Sequence, residues 1–257
     1  MPEKLVSKIA MNSLDVSLAE VIRSRYQAIR TQIEAAALRV KRQPASVRLV
    51  VVTKTHPVET VRAAVEAGIR EFGENYAEEA VEKIRAVGAF EELRWHMIGH
   101  VQSRKADLVA GHFHLMHSLD SLKLANRLER FAAQAGRTLP VLLECNVGGE
   151  ASKFGYPAST AQDLELLCRE VEQIALLPHL QIRGLMTMPP LYTDPEQTRP
   201  FFARLRELRS FLAGRFPAIS WDELSMGTSA DFVAAVEEGA TIVRVGTAIL
   251  GARPPKR

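Results

Sequence analysis

Apolar residues form two patterns that alternate along this chain, one typical of helices and one typical of strands. From residue 16 to residue 40 they fall at three- and four-residue steps, as in Val21, Ile22, Tyr26, Ile29 and Ile33, which predicts an amphipathic helix. Farther along, short runs rich in branched aliphatic residues alternate with helical patterns. These runs predict eight strands, at residues 47–53, 69–72, 93–98, 113–117, 140–146, 181–186, 221–224 and 241–245.

Helices are predicted between the strands, and several carry end signals. Pro57 opens a helix that Gly68 closes, since proline is favoured in the first turn and glycine after the last. Ser159, followed three residues later by Gln162, has the spacing of a capping box. The remaining helices are predicted at residues 77–87, 122–134 and 232–238 and after the pair Asp194-Pro195.

This alternation indicates parallel strands joined by helical crossovers. Eight strand–helix units predict a closed (β/α)₈ barrel of the TIM type, near the lower end of the usual size of that fold. An open, doubly wound sheet is the alternative that the same alternation permits. We assign residues 16–257 to one barrel domain, and residues 1–15, where apolar periodicity is weak, to a flexible N-terminal extension.

Composition excludes several classes of function. A net charge of +3 gives no reason to expect a nucleic acid or an anionic membrane as partner. Glu3 and Asp15, together with the lack of a long apolar run, argue against a signal peptide or a membrane span. Two cysteines fit a reducing compartment, so we expect a cytoplasmic protein, and Cys145 lies within an apolar strand as a core thiol would. Nothing in the sequence signals an oligomer, and a monomer is expected.

The polar residues of most chemical interest stand at predicted carboxyl ends of strands, where barrels of this type place their sites. Lys54 follows the valine run of the first strand. Partial desolvation there would lower the pKa of its amine and make it a candidate to form a Schiff base. A fully solvated lysine at the end of a strand is the alternative interpretation.

Two glycine-containing segments near the end of the chain could bind a phosphate. Ser225-Met-Gly-Thr-Ser229 precedes a predicted helix, and Arg244-Val-Gly-Thr247 ends the eighth strand. Backbone N–H groups at such places bind phosphate, and the loops after strands seven and eight form the usual phosphate site of this fold. Tight turns that need glycine are the alternative. Arg244 shares a strand face with Gly246, from which it could reach a ligand or form an ion pair inside the barrel.

An early lysine and two late phosphate loops together predict a barrel that holds pyridoxal phosphate (PLP). His112, His114 and His117 lie close in sequence, but no carboxylate or cysteine completes a ligand set, so no metal site is predicted. Lys153, in the loop after the fifth strand, is either a second anion contact or an ordinary loop lysine.

Several short pieces follow one another in a specific order: Val52-Thr-Lys54, Gly73-Glu-Asn-Tyr76, Trp95-His96 with Ile98-Gly99, Gln102-Ser103 with Lys105, Ser152-Lys153 with Gly155, Arg183-Gly-Leu-Met186, Leu224-Ser-Met-Gly227, and Val243-Arg244 with Gly246-Thr247. From about Ser17 to Arg253 the chain thereby resembles the pyridoxal phosphate homeostasis proteins, single-domain relatives of the N-terminal barrel of alanine racemase. Two positions depart from the family pattern. Thr228 stands where methionine is frequent, and His100-Val101 where proline or histidine with leucine is common.

The resemblance implies roles for several residues. Lys54 would form the Schiff base with PLP, and Asn75 would line the pocket of the ring. Arg244 would face the pyridine nitrogen. The phosphate would be held by Ser225, Gly227, Gly246 and Thr247.

The resemblance also implies a function in intracellular PLP homeostasis, in which the protein buffers PLP or delivers it to PLP-dependent apoenzymes. PLP acts best as an electron sink when its pyridine nitrogen is protonated, and an arginine there disfavours that state. Alanine racemase carries a tyrosine base on a second domain, which this chain is not expected to have, and we identify no second base in the sequence. We therefore expect no robust turnover. A small amino-acid racemase and an aldolase with a Schiff-base lysine are the alternatives.

Overall fold

The computed structural model describes residues 16–88, 90, 92–150 and 153–253. Within them the strands are β1 (Arg48–Val52), β2 (Glu71–Glu74), β3 (Arg94–Met97), β4 (Leu115–Leu119), β5 (Leu139–Asn146), β6 (Tyr156–Pro157), β7 (Leu180–Met186), β8 (Glu223–Ser225) and β9 (Ile242–Val245). Every predicted strand is present, with its ends shifted by at most a few residues. The extension predicted for residues 1–15 lies outside the described residues, as do the last residues of the predicted domain, 254–257.

Helices surround the strands. They are α1 (Leu18–Arg39), α2 (Val58–Glu66), α3 (Ala77–Val87), α4 (Ala106–His112), α5 (Leu122–Gln134), α6 (Ala161–Ile174), α7 (Arg199–Arg215), α8 (Phe232–Glu237) and α9 (Thr247–Leu250). The first helix packs against α2, α8 and α9, and so joins the first and last units of the helical layer. No helix in the described part of the chain combines the length and the apolar character that a membrane crossing requires.

The strands form a closed ring in which every neighbouring pair is parallel. β1 pairs with β2 on one side and β9 on the other, and the series β2, β3, β4 continues to β5. From β5 the ring continues through β7 and β8 to β9, while β6 adds a short pairing to β5. The predicted (β/α)₈ barrel is confirmed. The doubly wound sheet is excluded because the β4–β5 and β1–β9 pairings close the ring.

Alternation along the strands divides the apolar side chains between two cores. Leu49 and Val51 belong to the large core between barrel and helices, whereas Val50 belongs to a small cluster inside the barrel. That inner cluster consists of Val50, Leu115, Leu142, Met186 and Ile242. Polar side chains fill another part of the interior, among them His96, His117, Ser225 and Arg244, all buried. The barrel is therefore packed throughout, with a polar region that reaches the site described below.

Thr160, rather than Ser159, is the N-cap of α6, one residue later than predicted. The Thr160 hydroxyl accepts the N–H of Asp163, and the Asp163 carboxylate accepts the N–H groups of Thr160 and Ser159. The prediction of Gln162 as the capping partner is wrong because a carboxylate accepts hydrogen bonds more strongly than an amide and is favoured beside a helix N-terminus.

Three short elements, α4, α9 and β6, were not predicted from the sequence. Each spans seven residues or fewer, which is too short for an apolar period to show. α4 ends at His112, so this histidine lies on a helix and shares no strand face with His114.

Candidate functional site

A cavity of about 760 Å³ opens at the carboxyl ends of the strands. The charged and polar side chains that line it are Lys54, Asn75, Tyr76, His100, Glu144, Lys153, Thr228, Ser229, Arg244, Thr247 and Arg253. Cavities of this size at this end of a barrel are typical small-molecule sites. Of the residues predicted for the site, the wall contains Lys54, Asn75, Arg244, Gly246 and Thr247.

Lys54 stands two residues beyond the end of β1, and its side chain lines the cavity. Burial lowers the pKa of its amine. The positive charges of Arg253 and Arg244 lower this pKa further, while the carboxylate of Glu74 acts in the opposite direction. A larger fraction of the amine is therefore neutral than for a lysine in water, and the neutral form is the one that attacks a carbonyl. The Lys54 amine is thus partly desolvated rather than fully solvated, and its reaction with a carbonyl stays a prediction.

The backbone immediately after Lys54 is held in an unusual conformation. Thr55 has a φ of 64°, in the left-handed region that a β-branched residue rarely adopts. Its N–H donates to the Glu79 carboxylate at 2.6 Å. The Lys83 ammonium donates to the same carboxylate at 2.5 Å and to the carbonyl of Thr53 at 2.7 Å. These bonds fix both residues that flank Lys54, so its position is set from outside the cavity.

Lys83 also pairs with a second carboxylate that is fully buried. Its ammonium lies 2.7 Å from Glu74 Oε1, which accepts the Thr53 hydroxyl at 2.6 Å. Burial raises the pKa of Glu74, and the contacts with Lys83 and Thr53 oppose that rise. The other oxygen, Oε2, has no hydrogen-bond partner among the described residues. The ionised form of Glu74 therefore depends on the Lys83 charge.

Arg244 extends from β9 into the barrel. The residue is 3% exposed, and its guanidinium donates to the Ser225 hydroxyl at 2.5 Å and to the Thr187 carbonyl at 3.0 Å. Burial lowers the pKa of Arg244 to about 10, against the opposing charges of Asp231 and Glu144, so the group stays cationic at neutral pH. Its hydrogen bonds go to these two neutral oxygens and to the Met188 sulfur at 2.8 Å, and it presents a positive charge to the cavity.

The Ser225 side chain lies inside the barrel rather than in the cavity wall. Its hydroxyl accepts from Arg244 and lies 2.7 Å from Nδ1 of His117, and the residue is fully buried. The hydroxyl that was expected to contact the phosphate therefore already has two partners in the barrel interior. Ser225 is the last residue of β8, and that position turns its side chain inward.

The segments after β8 and β9 meet at the cavity and form a candidate phosphate cradle. Gly227 has a φ of 91°, and a Cβ there would lie 2.6 Å from the Ala235 Cβ, so the turn that brings Ser229 to the wall requires glycine. The Ser229 hydroxyl accepts the Gly246 N–H at 3.3 Å, which leaves its own hydrogen to donate. Thr247, the residue after Gly246, begins α9. Gly227 thus shapes the cradle, and Ser229 is a member that the sequence analysis missed.

Asn75 carries an acceptor without a partner at the cavity wall. Its Oδ1 is buried and makes no hydrogen bond to the described residues. Gly99 packs so closely on Asn75 that a Cβ at Gly99 would lie 2.5 Å from the Asn75 carbonyl oxygen. An amide oxygen fixed in this state is a candidate to accept a hydrogen bond from a ligand.

Glu144 is a further site residue that the sequence analysis missed. It belongs to β5, lines the cavity and is 8% exposed, and its Oε2 has no hydrogen-bond partner among the described residues. Burial, together with the Asp120 carboxylate, raises the pKa of Glu144 to about 7 against the opposing charges of Arg244 and Lys153. A carboxyl that titrates near neutral pH in a cavity is a candidate acid or base.

Replacing Glu144 with glutamine should remove a pH-dependent loss of stability. Glu144 binds its proton more tightly in the folded protein, with a pKa of about 7, than at the ordinary value of 4.5. The free energy of unfolding therefore falls as the pH rises between these values, by about 3 kcal/mol in all. We expect urea unfolding of the ligand-free protein to show this loss relative to Glu144→Gln, and parallel pH profiles of the two proteins would contradict the assigned titration.

The other polar residues considered in the sequence have structural surroundings. His112 hydrogen-bonds within its own helix, His114 accepts a backbone N–H from β3, and His117 lies inside the barrel. The described ranges contain no group of three or more metal-binding side chains that could hold an ion. Cys145 is a buried thiol whose pKa is raised by burial, which confirms its place in the core. Lys153 lines the cavity and is thus placed to contact an anion.

Residues 25–254 match the family described as alanine racemase, N-terminal domain. The pyridoxal phosphate homeostasis protein of Vibrio alginolyticus is 41% identical over 235 residues, which are 90% of this chain and 97% of that protein. The protein of the same name from Pseudomonas aeruginosa is 44% identical over 225 residues, 88% of this chain and 93% of that protein.

Solved structures show the same likeness. PipY of Synechococcus elongatus PCC7942, with PLP bound, is 36% identical and superimposes with a TM-score of 0.78, covering 90% of this chain and 100% of that chain. An alanine racemase of Clostridium difficile 630 superimposes with a TM-score of 0.66 at 15% identity, covering 92% of this chain and 58% of that chain. The second likeness concerns the fold alone, and it agrees with the closed barrel.

Proposed function

Because the chain belongs to the pyridoxal phosphate homeostasis protein family, within the alanine racemase N-terminal domain fold, we propose that it binds PLP in the cavity at the carboxyl ends of its strands. Lys54 holds PLP as a Schiff base, and the protein buffers PLP in the cell or delivers it, without robust catalytic turnover. The observation that carries the proposal is a lysine amine of lowered pKa in the same cavity as the cradle of Ser229, Gly246 and Thr247.

The charge of the cavity suits a ligand that carries a phosphate. Lys54, Lys153, Arg244 and Arg253 line it, and Glu144 is the one carboxyl among the described residues of the wall. With a pKa of about 7, Glu144 is only partly ionised at neutral pH. The net positive field attracts a phosphate dianion. When bound, PLP supplies an aldehyde that condenses with amines and a ring that withdraws electrons.

Different residues of the cavity wall can bind different groups of PLP. The Ser229 hydroxyl has a hydrogen left to donate, and Thr247 lines the same cavity and adds a second hydroxyl, so both can hold the phosphate. Asn75 Oδ1 lacks a donor and can accept one from the ring hydroxyl. Arg244 is the proposed partner of the pyridine nitrogen, as the family resemblance implies.

Arg244 favours a role in storing PLP over catalytic turnover. A guanidinium has donors only, so it can donate to an unprotonated pyridine nitrogen but cannot accept a hydrogen from a protonated one. The ring then withdraws electrons less strongly, which disfavours carbanion chemistry. The bonds to Ser225 and to the Thr187 carbonyl hold the guanidinium in place for this role.

Substitution of Ser229 or Thr247 by alanine should weaken PLP binding by about 1.5–3 kcal/mol each, the usual loss for a hydrogen bond to a charged group. The measurement is a titration of the protein with PLP followed by absorbance. Ser210→Ala is a matched control, because its hydroxyl bonds a carbonyl of its own helix on the exposed face of α7. An unchanged affinity in the double variant of Ser229 and Thr247 would place the phosphate elsewhere.

One observation favours a second candidate, an amino-acid racemase. Glu144 is a carboxyl with a pKa of about 7 in the cavity, the kind of group that exchanges a proton at a substrate carbon. Incubation of the PLP-loaded protein with amino acids in deuterated buffer separates the two functions. Exchange of the α-proton no faster than with free PLP supports storage. Exchange far above that level that is lost in Glu144→Gln would overturn the storage function and favour a racemase. A separate outcome, PLP-independent cleavage of a ketose phosphate, would favour the aldolase.

The proposal extends to location and partners. Cys145 and Cys168 are both free thiols, which suits a reducing compartment, and we place the protein in the cytoplasm as a monomer. Its recipients would be PLP-dependent apoenzymes. Mixing the PLP-loaded protein with an apoenzyme in the presence of a trap for free PLP tests delivery. Activation that the trap does not slow supports direct transfer, and activation that the trap abolishes supports release into solution.

A further inference from the structure

A chain of hydrogen bonds runs through the interior of the barrel from the PLP cavity to its opposite end. It starts at Arg244, whose Nη1 lies 2.5 Å from Ser225 Oγ. Ser225 Oγ lies 2.7 Å from His117 Nδ1, and His117 Nε2 lies 2.9 Å from His96 Nδ1. His96 Nε2 lies 2.5 Å from Glu71 Oε2. Because its members come from β9, β8, β4, β3 and β2, the chain crosses the barrel.

The far end of this chain borders a second cavity. Glu71 and His96 line a space of about 270 Å³ at the amino ends of the strands, together with Arg48, Arg94 and His114. The Glu71 side chain is 27% exposed, whereas the other members of the chain are almost completely buried. Glu71 is therefore the member that solvent reaches.

Only one pattern of donors satisfies every contact of the chain while both histidines are neutral and Glu71 is ionised. Arg244 can only donate, so Ser225 Oγ accepts from it and gives its own hydrogen to His117 Nδ1. His117 then donates from Nε2 to His96 Nδ1, and His96 donates from Nε2 to the Glu71 carboxylate. Every donor points toward Glu71, and hydrogen bonds aligned in this way strengthen one another.

The surroundings decide where an added proton goes. Burial holds the pKa of His117 well below its ordinary value, and the charges of His96, Arg244 and Arg48 lower it further. Burial raises the pKa of Glu71, but the hydrogen bond and charge of His96 and the nearby arginines outweigh it, so the pKa of Glu71 is lowered. His117 thus stays neutral and Glu71 stays anionic. His96 lies between them, so a second ring hydrogen on His96 has an acceptor on either side, His117 Nε2 and Glu71 Oε2.

We propose that Glu71, His96, His117 and Ser225 form a positioning relay for Arg244, whose hydrogen-bond direction reverses when His96 takes up a proton. Both ring nitrogens of a protonated His96 donate, so His117 accepts at Nε2 and carries its hydrogen on Nδ1. His117 then donates to Ser225, whose own hydrogen loses its acceptor. The two arrangements differ by one proton, which is taken from water. The effect on ligand binding rests on the proposed function, because a bound PLP is what Arg244 would face.

The reversed arrangement weakens the hold on Arg244. Ser225 Oγ then accepts two N–H donors, and the alignment that strengthened its bond to Arg244 is lost. We expect PLP affinity to fall about threefold to tenfold as the pH drops through the reversal, comparable to the loss of one net hydrogen bond.

Nitrogen-15 NMR of histidine-labelled, ligand-free protein tests the relay from about pH 5 to about pH 9. At high pH we expect His96 and His117 both to carry their hydrogen on Nε2. On acidification, His117 should change to the Nδ1–H tautomer, without becoming protonated, at the same pH at which His96 takes up its proton. A His117 tautomer that stays constant while His96 titrates would overturn the relay, and so would a His96 that never titrates in this range.

Glu71→Gln is the informative variant. The glutamine oxygen can still accept from His96 Nε2, but it no longer stabilises the cation, so the midpoint of the His117 tautomer change should move to lower pH. Glu92→Gln is the matched control, because Glu92 is an exposed carboxylate just before β3 that pairs with Arg70 outside the relay. Equal midpoints in the unmodified protein and Glu71→Gln would contradict the assignment.

The two proposals fail in distinguishable ways. The NMR experiment needs no PLP, so a normal tautomer change in a protein that binds no PLP leaves the relay intact and removes the proposed function. A protein that binds PLP while His117 stays in one tautomer across the whole pH range removes the relay and leaves the function intact.

Discussion

Lys54→Ala is expected to abolish the covalent attachment of PLP and to leave the barrel folded. The substitution removes the amine that lines the cavity and has its pKa lowered by burial and by Arg253 and Arg244. The side chain is only partly buried and lies beyond the end of β1, so it contributes little to the apolar cores. The visible absorbance of a PLP Schiff base should therefore disappear, while the urea unfolding curve stays close to that of the unmodified protein.

A second lysine of the same cavity serves as the matched control. Lys153 also lines the wall, on the loop between β5 and β6. Lys153→Ala should keep the Schiff-base absorbance, with at most a weaker affinity for the phosphate-bearing ligand. Absorbance that persists in Lys54→Ala and is lost in Lys153→Ala would move the attachment site to the other lysine.

The second large effect is on stability. Lys83→Met should lower the free energy of unfolding by about 3–5 kcal/mol, because it removes the partner of a buried charge. Lys83 is 4% exposed at its side chain and Glu74 is fully buried. Without the ammonium, Glu74 must either remain an unpaired buried anion or take up a proton that it otherwise releases. Urea unfolding at neutral pH measures the loss.

Lys105→Met is the matched control for that measurement. Lys105 also pairs with a glutamate of α3, Glu78, but this pair is partly exposed and should contribute no more than about 1 kcal/mol. Similar losses of unfolding free energy in the two variants would show that the buried Lys83 pair stabilises the fold no more than the partly exposed Lys105 pair. Lys83 also holds the carbonyl of Thr53 and the carboxylate that binds the Thr55 N–H. Its loss should therefore also slow Schiff-base formation at Lys54.

The barrel could be predicted from the sequence because its determinants are local. Each strand is a short apolar run between helical patterns, which is typical of parallel strands buried on both faces, and eight such units match the closed barrel. The elements that escaped prediction, α4, α9 and β6, are too short to show a period. The cap of α6 was misplaced by one residue because both a serine and a threonine stand near its start.

The site could be predicted where a residue lies at or close to the carboxyl end of a strand. Lys54, Gly246 and Thr247 are such residues, and all three reach the cavity. Ser225 and Ser229 lie in one segment, and β8 is only three residues long, so the sequence does not reveal which serine faces inward.

The polar interior depends on contacts that no local pattern encodes. His117 and Ser225 are 108 positions apart in the chain, yet their side chains are hydrogen-bonded across the barrel. Glu144 stands in an otherwise apolar strand, and its place in the cavity wall follows from the register of β5 against β7. Such positions become visible only when the ring is closed.

Borohydride reduction of the PLP-loaded protein, followed by peptide mapping, tests the central claim most directly. Reduction converts a Schiff base into a stable pyridoxyl-lysine that survives digestion. The account predicts a yellow protein that loses its colour on reduction and carries the pyridoxyl label on Lys54. A protein that cannot be loaded with PLP, or a label found on another lysine with Lys54 unmodified, would contradict it.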